Sequence, residues 1–447
     1  MRGGTTAGGL RRSLGTMALA AVMFFNVSGG AFSMEGLVAA VGPGIALLLL
    51  VMVPLLWSIP ETLLVAELAS MLPEEGGYYR WVHRAFGPFW AFQNGWITWC
   101  YSLVDMAIYP VLCNQYLGYF FPGLSGVAQW TISLVMIWGA TMINLRGAAR
   151  VGQVSVVAAA LILGTFLAIT VTSVPRMTHV PWTPFTHAGA TPWNALGVGL
   201  STVLWNYLGW DNASTVGEEI HDASRTYPRA LAIALTVVTA SYLLPVSVAL
   251  SATDWTTWRD GGWPAIALAS SGAAGPALAA LVALAGVVSA IALFNALLMA
   301  YSRIPLAMAR DGLLPAGLAV LDARGNPARA VLVSAVCYSA FALLPFGQLV
   351  VADVLLYSLA LALEYGALIR LRTHQPALRG AFRIPVGMKG IWVLVSIPMV
   401  ILLITVGLSF ADGEYGTPAV LGAMTAVAAG PVAYWWRTRS ARMSVDG

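Results

Sequence analysis

The chain is poor in charge. Aspartate, glutamate, lysine and arginine make up 9% of its 447 residues, about one third of the share a soluble domain carries. That scarcity excludes a soluble globular fold. Cysteine is scarce too: Cys100, Cys113 and Cys337 are odd in number and sit in apolar runs, which excludes a disulfide framework and metal-ligand spacing. No metal or other cofactor is expected. The five histidines, His83, His179, His187, His221 and His374, fall in expected connections and read as solvated loop residues. The longest connections, 252–275, 303–329 and 370–390, leave no room for a soluble signalling or nucleic-acid-binding domain.

What is present is apolar sequence: 59% hydrophobic, with mean hydropathy +0.78. Runs long enough to cross a bilayer, about 20 residues each, fall at 16–40, 45–71, 90–119, 128–145, 152–174, 194–218, 229–251, 276–302, 330–345, 348–369, 391–410 and 417–436. These twelve runs predict an all-α, multi-pass protein of the cell membrane, with the lipid bilayer as its surroundings. Alternating the connections from an inside N-terminus puts only Arg176 and Arg259 of the 23 basic residues outside. Such a positive-inside bias supports the count and predicts cytoplasmic tails at 1–15 and 437–447. The opening stretch RRSLGTMALAAVMFFNVSGGAFS imitates a secretory signal, but its apolar character runs on to Val41 and cleavage would invert the charge alternation. A retained first helix is expected.

Two spans are interrupted. Ser28-Gly29-Gly30 lies in the middle of the first and Asn206-Tyr207-Leu208-Gly209-Trp210-Asp211 in the sixth. Glycine costs about 1 kcal/mol in a helix interior relative to alanine. Inside a bilayer, backbone unwinds only where protein buries it or a cavity solvates it. Broken helices five spans apart lie in opposite orientations, which is the sequence pointer to a secondary transporter's central binding site. Close packing of helices through Gly29-Gly30 is the structural alternative.

Four carboxylates lie at membrane depth with no basic neighbour: Glu35, Glu61, Asp105 and Asp211. An ionisable group there costs about 2.5–3.5 kcal/mol even on insertion scales. The missing positive charge must be a proton, a metal ion or a cationic substrate. In the third span Asn94, Thr98, Ser102, Asp105 and Tyr109 recur every three or four residues, one polar helix face. Glu35 falls in the first turn after the first break, where a helix N-terminus favours negative charge. It would compete there with a substrate carboxylate and favour an amine. Asp211 follows the second break among Trp205, Tyr207 and Trp210, and aromatic faces suit alkylammonium ions. From Asp211, Thr215 and Glu218 continue at helical spacing as an exit line. Glu61 follows Pro60 and reads either as a proton carrier or as a structural hydrogen bond. Structural roles are expected for Glu67 and Glu364, and edge pairs with Arg225 or Arg229 for Glu218 and Glu219.

The blocks PEEGGYYRWVHRAFGP (73–88), GEEIHDASRTYPRA (217–230), SRIPLAMARDGLLP (302–315) and FRIPVG (382–387) resemble the cytoplasmic loops of the amino acid–polyamine–organocation transporter superfamily. Within it, FFNVSGGAFSMEGLV (24–38), SIPETLLVAELASMLPEEGGYYRWV (58–82), FGPFWAFQNGW (86–96), DMAIYPVL (105–112) and LWNYLGWDNASTVGEE (204–219) resemble polyamine uptake transporters and their bacterial relatives. The resemblance implies a five-plus-five inverted-repeat (LeuT-like) fold within one transporter domain, 16–436. Repeat one would cover 16–174, repeat two 194–369, and two further helices 391–436.

Together these readings predict a proton-coupled importer of di- or polyamines, not an enzyme. Ser28, Gly29, Gly30, Glu35, Asp105, Tyr109, Trp205, Asn206, Tyr207, Trp210 and Asp211 are the expected substrate contacts and Glu61 the proton-coupling candidate. The sequence departs from many amino-acid-transporting members in reading Ser-Gly-Gly at the first break, and its fifth span has no lysine. In the eighth span Ser289 and Asn295 are candidate contributors to an ion site, with helix packing as the structural alternative. An amino-acid permease of the same superfamily is the alternative. An intramembrane aspartyl protease built on Asp105 and Asp211 lacks its Gly-x-Gly-Asp motif.

Overall fold

The computed structural model describes residues 10–187, 192–341, 346–411 and 416–443; the ends of the expected tails, 1–9 and 444–447, lie outside the described residues. The elements are α1 (Thr16–Val27), α2 (Met34–Val41), α3 (Pro43–Val53), α4 (Ile59–Met71), α5 (Gly77–Phe86), α6 (Pro88–Leu117), α7 (Gly126–Asn144), α8 (Ala148–Ser173), α9 (Pro192–Trp205), α10 (Ala223–Ala252), α11 (Trp263–Ser270), α12 (Gly275–Tyr301), α13 (Arg303–Arg310), α14 (Ala328–Phe341), α15 (Phe346–His374), α16 (Met388–Ala411) and α17 (Gly416–Met443). Among the described residues the only β-pairing is two isolated bridges, Leu14 with Ile220 and Glu75 with Val216.

Among the described residues, eight spans are long and apolar enough to cross a bilayer. The expected spans at 16–40, 194–218, 330–345 and 417–436 are not among these eight; the first two are those expected to be broken, and 342–345 of the third lie outside the described residues. Three connections expected to be loops hold the short helices α5, α11 and α13. In α5 the reason is local: Tyr78, Trp81, Val82 and Ala85 recur at helical spacing and are buried, while Arg84 faces out.

The helices α1, α6, α8, α10, α12 and α15 pack against one another at the centre. Elsewhere the surface is apolar, as at Val135, Leu403, Val432, Trp435 and Trp436. Such exposure is a liability in water and a fit in lipid. Arg372 on α15 donates to Glu67 on α4 (Nε to Oε1, 2.6 Å), and the Ile384 N–H donates to the same carboxylate. Glu67 is thus a structural ion pair, as its sequence position suggested.

Both breaks occur where the sequence places them. The α-helix ends at Val27, and Gly29, Gly30 and Ser33 turn through positive φ before α2 begins. Side chains from elsewhere satisfy the freed backbone, as they must in a bilayer: Ser289 donates to the Gly29 carbonyl (2.6 Å) and the Trp263 indole to that of Ala31 (2.7 Å). At the second break Tyr242 donates to the Asn206 carbonyl (2.8 Å) and Tyr227 to that of Trp210 (3.2 Å). Ser33 Oγ donates to Asn206 Oδ1 (3.1 Å), tying one break to the other.

Beyond Trp205 the chain does not resume an α-helix. It runs through short 3₁₀ turns at Asn212–Thr215 and Gly217–Glu219 until α10. The expected exit line Asp211–Thr215–Glu218 therefore does not form, because its members no longer share a helix face.

Gly209 holds the two breaks together. It has φ +96°, and a Cβ there would stand 2.3 Å from the Asn26 carbonyl oxygen. Gly209→Ala is expected to combine backbone strain of about 1–3 kcal/mol with that clash. A lowered unfolding temperature in detergent, with surface glycine controls unaffected, checks it.

Candidate functional site

A cavity sits where the breaks meet α6, α12 and α15. Its wall includes Ser28, Asp105, Tyr109, Trp205 and Asn206 of the expected residues. It also includes residues the sequence did not single out: Phe32, Tyr101, Tyr116, Tyr301, Asp353 and Tyr357. Among the described residues no lysine, arginine or histidine lines it. Its volume is about 30 Å³, room for roughly two waters, so a larger solute enters only if the walls move.

Asp105 is the best-held acid. Tyr109, one turn further along α6, donates to Oδ1 at 2.6 Å, and Tyr301 at the end of α12 donates to Oδ2 at 2.8 Å. The predicted polar face of α6 is real: Asn94, Thr98, Ser102, Asp105 and Tyr109 are all buried. Asn94 bonds the Ala360 carbonyl and Ser102 accepts from Tyr338, so these two tie helices together.

Asp353 on α15 faces the same cavity, 4% exposed, and among the described residues its Oδ1 has no hydrogen-bond partner. Two acids and a ring of aromatic side chains, with no basic residue on the wall, make a site for a cation. Tyr101 stands edge-on to both Tyr301 (5.6 Å between ring centres) and Tyr357 (5.5 Å).

The other expected residues do not reach the cavity wall. Glu35 is fully buried in the first turn of α2, as its position implied, but Tyr116 donates to it at 2.6 Å and stands between it and the cavity. The Gly29 and Gly30 backbones bend around the site without lining it. Tyr207 packs edge-on against Tyr242 (5.1 Å), and Trp210 is wholly buried. Asp211 and Glu61 lie behind Tyr357, whose hydroxyl is 2.6 Å from each. Asp105 and Asp211 are thus engaged by different tyrosines, against a shared aspartyl-protease pair. Asn295 bonds Asn144 (2.9 Å) and is structural; Ser289 does line the cavity.

A signal for the missed residues was present. Asp353, Tyr357 and Glu364 are spaced four and seven apart, one face of α15, and Tyr101 lies one turn before Asp105. Among the described residues no cluster able to hold a metal ion occurs.

The amino acid permease family profile matches residues 14–428. A probable polyamine transporter of Arabidopsis thaliana is 35% identical over 398 residues, covering 88% of this chain and 79% of its own length. Polyamine transporter PUT1 of Oryza sativa subsp. japonica is 33% identical, covering 89% and 74%. The branched-chain amino acid permease BcaP of Lactococcus lactis is 26% identical, covering 69% and 70%.

Proposed function

This chain belongs to the amino acid permease family, and on that premise we propose that it imports cationic di- or polyamines across the cell membrane by alternating access, coupled to protons. One observation carries the reading: a buried cavity whose wall holds Asp105 and Asp353, aromatic faces and, among the described residues, no basic side chain. An amino acid would need a partner for its carboxylate. Among the described residues no arginine, lysine or histidine is on the wall to provide one. Two relatives that cover 88% and 89% of the chain carry polyamine transport in their names, which agrees.

In this reading twelve spans form two inverted repeats, 16–174 and 194–369, followed by two helices, with both termini cytoplasmic. One substrate ammonium pairs with Asp105 and Asp353. Tyr109, Tyr301 and Trp205 enclose the first carbons of the alkyl chain, with cation–π contacts adding about 0.5–2 kcal/mol each. Closing the cavity to its small resting volume excludes water and strengthens the ion pair.

The test is uptake into proteoliposomes with an imposed pH gradient, offering putrescine, spermidine, agmatine, arginine and leucine in parallel. Amines are expected to enter and leucine to be excluded. Leucine uptake with no response to any amine would sink the reading, and uptake limited to arginine would favour a cationic amino-acid permease.

A further inference from the structure

Behind the cavity wall lies an acidic cluster that the amine site does not use. Glu61 on α4 and Asp211, just past the second break, flank the hydroxyl of Tyr357 on α15. The phenol oxygen is 2.6 Å from Glu61 Oε1 and 2.6 Å from Asp211 Oδ1, and the Gly209 N–H donates to it at 3.0 Å. Glu61, Asp211 and Tyr357 are buried.

Counting hydrogens constrains this arrangement. A tyrosine hydroxyl has one hydrogen to donate and two lone pairs to accept with. Gly209 uses one lone pair, and the hydroxyl hydrogen serves one carboxylate. The remaining 2.6 Å contact then sets a phenol lone pair against the other carboxyl group. It becomes a hydrogen bond only if that carboxyl carries a proton and donates it. Three contacts need three hydrogens: one N–H, one phenol O–H and one carboxyl O–H.

Among the described residues the surroundings provide no alternative positive charge. Glu364 on α15 faces both acids, and Tyr78 on α5, Tyr101 on α6, Tyr227 on α10 and Tyr365 on α15 close around them. Among the described residues no arginine or lysine forms an ion pair with Glu61, Asp211 or Glu364. A second bare negative charge here would be uncompensated in an apolar setting, which is costly.

We propose that Glu61, Tyr357 and Asp211 form a single proton site, adjacent to the amine site but separate from it, and that its one shared proton is the coupling ion. The transfer balances without any other reactant. As the protonated acid gives its hydrogen to the phenol oxygen, the phenol gives its own to the other acid, so a proton passes between Glu61 and Asp211 and Tyr357 is regenerated. The same Tyr357 ring lines the cavity against Tyr101, so an amine bearing on the ring disturbs the bridge. Asp211 is thereby moved from substrate contact to proton binding. The role as coupling site rests on the transport reading given above.

The experiment uses the full chain in proteoliposomes, with membrane potential clamped. Putrescine exchange at equal pH is compared with accumulation driven by an inward proton gradient, and a pH dye reports protons moved per putrescine. In Glu61→Gln, gradient-driven accumulation is expected to fall about tenfold or more beyond any fall in exchange, with the proton ratio dropping toward zero. Tyr357→Phe, which removes one hydroxyl, is expected to lower the ratio in the same direction. An unchanged proton ratio in both variants overturns the proposal, as does loss of exchange and of gradient-driven accumulation in equal proportion. Wild-type putrescine uptake without proton movement overturns the proton site and leaves the amine reading intact. Proton-driven uptake of leucine alone, abolished by Glu61→Gln, does the reverse.

Discussion

Asp105→Asn is expected to lower amine uptake by about 30-fold or more while the protein still inserts and folds. Removing one member of a buried, hydrogen-bonded charge pair costs about 2–5 kcal/mol, and about 1.4 kcal/mol is tenfold in affinity. Asparagine keeps the volume and can still engage Tyr109 and Tyr301, which now donate to the carboxylate at 2.6 and 2.8 Å. The loss should therefore fall on the substrate and not on the fold. Putrescine binding to purified protein, beside its unfolding temperature, separates the two. Unchanged affinity would remove Asp105 from the site.

Arg303→Met should have the largest effect on stability. The Arg303 guanidinium is 1% exposed and donates from Nη2 (2.7 Å) and Nε (3.0 Å) to Glu219, with Glu75 3.5 Å away. It also donates to the Met299 carbonyl at 3.0 Å. These contacts gather the segment before α1, since the Ser13 and Leu14 amides donate to the Glu219 carbonyl. Breaking a buried pair leaves an uncompensated charge and costs about 3–5 kcal/mol, a large part of a typical stability of about 5–15 kcal/mol. A variant with wild-type thermal stability would refute this.

The same network gives a pH dependence. Burial, reinforced by the nearby Glu219, pushes the Glu75 carboxyl well above the usual carboxylate range, against the pull of Arg303. A group raised on closure contributes stability that is complete below its open-state value and lost as pH rises through the raised one. This end of the protein should therefore loosen with rising pH. Hydrogen exchange at Ser13 and Leu14, corrected for the intrinsic rate, should accelerate. Exchange that slows instead would show that Glu75 is not the controlling group.

The wrong partner for Glu219 is instructive. Arg225 and Arg229 are near it in sequence, and an α-helical continuation of the sixth span would have brought them close. The chain instead passes through 3₁₀ turns, and Arg303, 84 residues away, takes the carboxylate. Asp353 is hidden in the sequence for a related reason. Its helix carries Tyr357 and Glu364 on the same face, but only packing against α6 shows which face of α15 looks inward. Glu35 lies at a helix start, as its place after the break implies, yet Tyr116 of α6 binds it and lines the cavity in its stead.

The sequence by itself determined the membrane character, the positions of both breaks and the inward face of α6. These depend on hydropathy, on glycine and polar interruptions, and on periodicity within one segment, all local properties. Tertiary structure decided how the buried acids are divided. Asp105 shares a cavity with Asp353, while Asp211 is joined to Glu61 through Tyr357. Each grouping spans helices far apart in the chain, so the rotation and register of packed helices set it, and no local pattern encodes those.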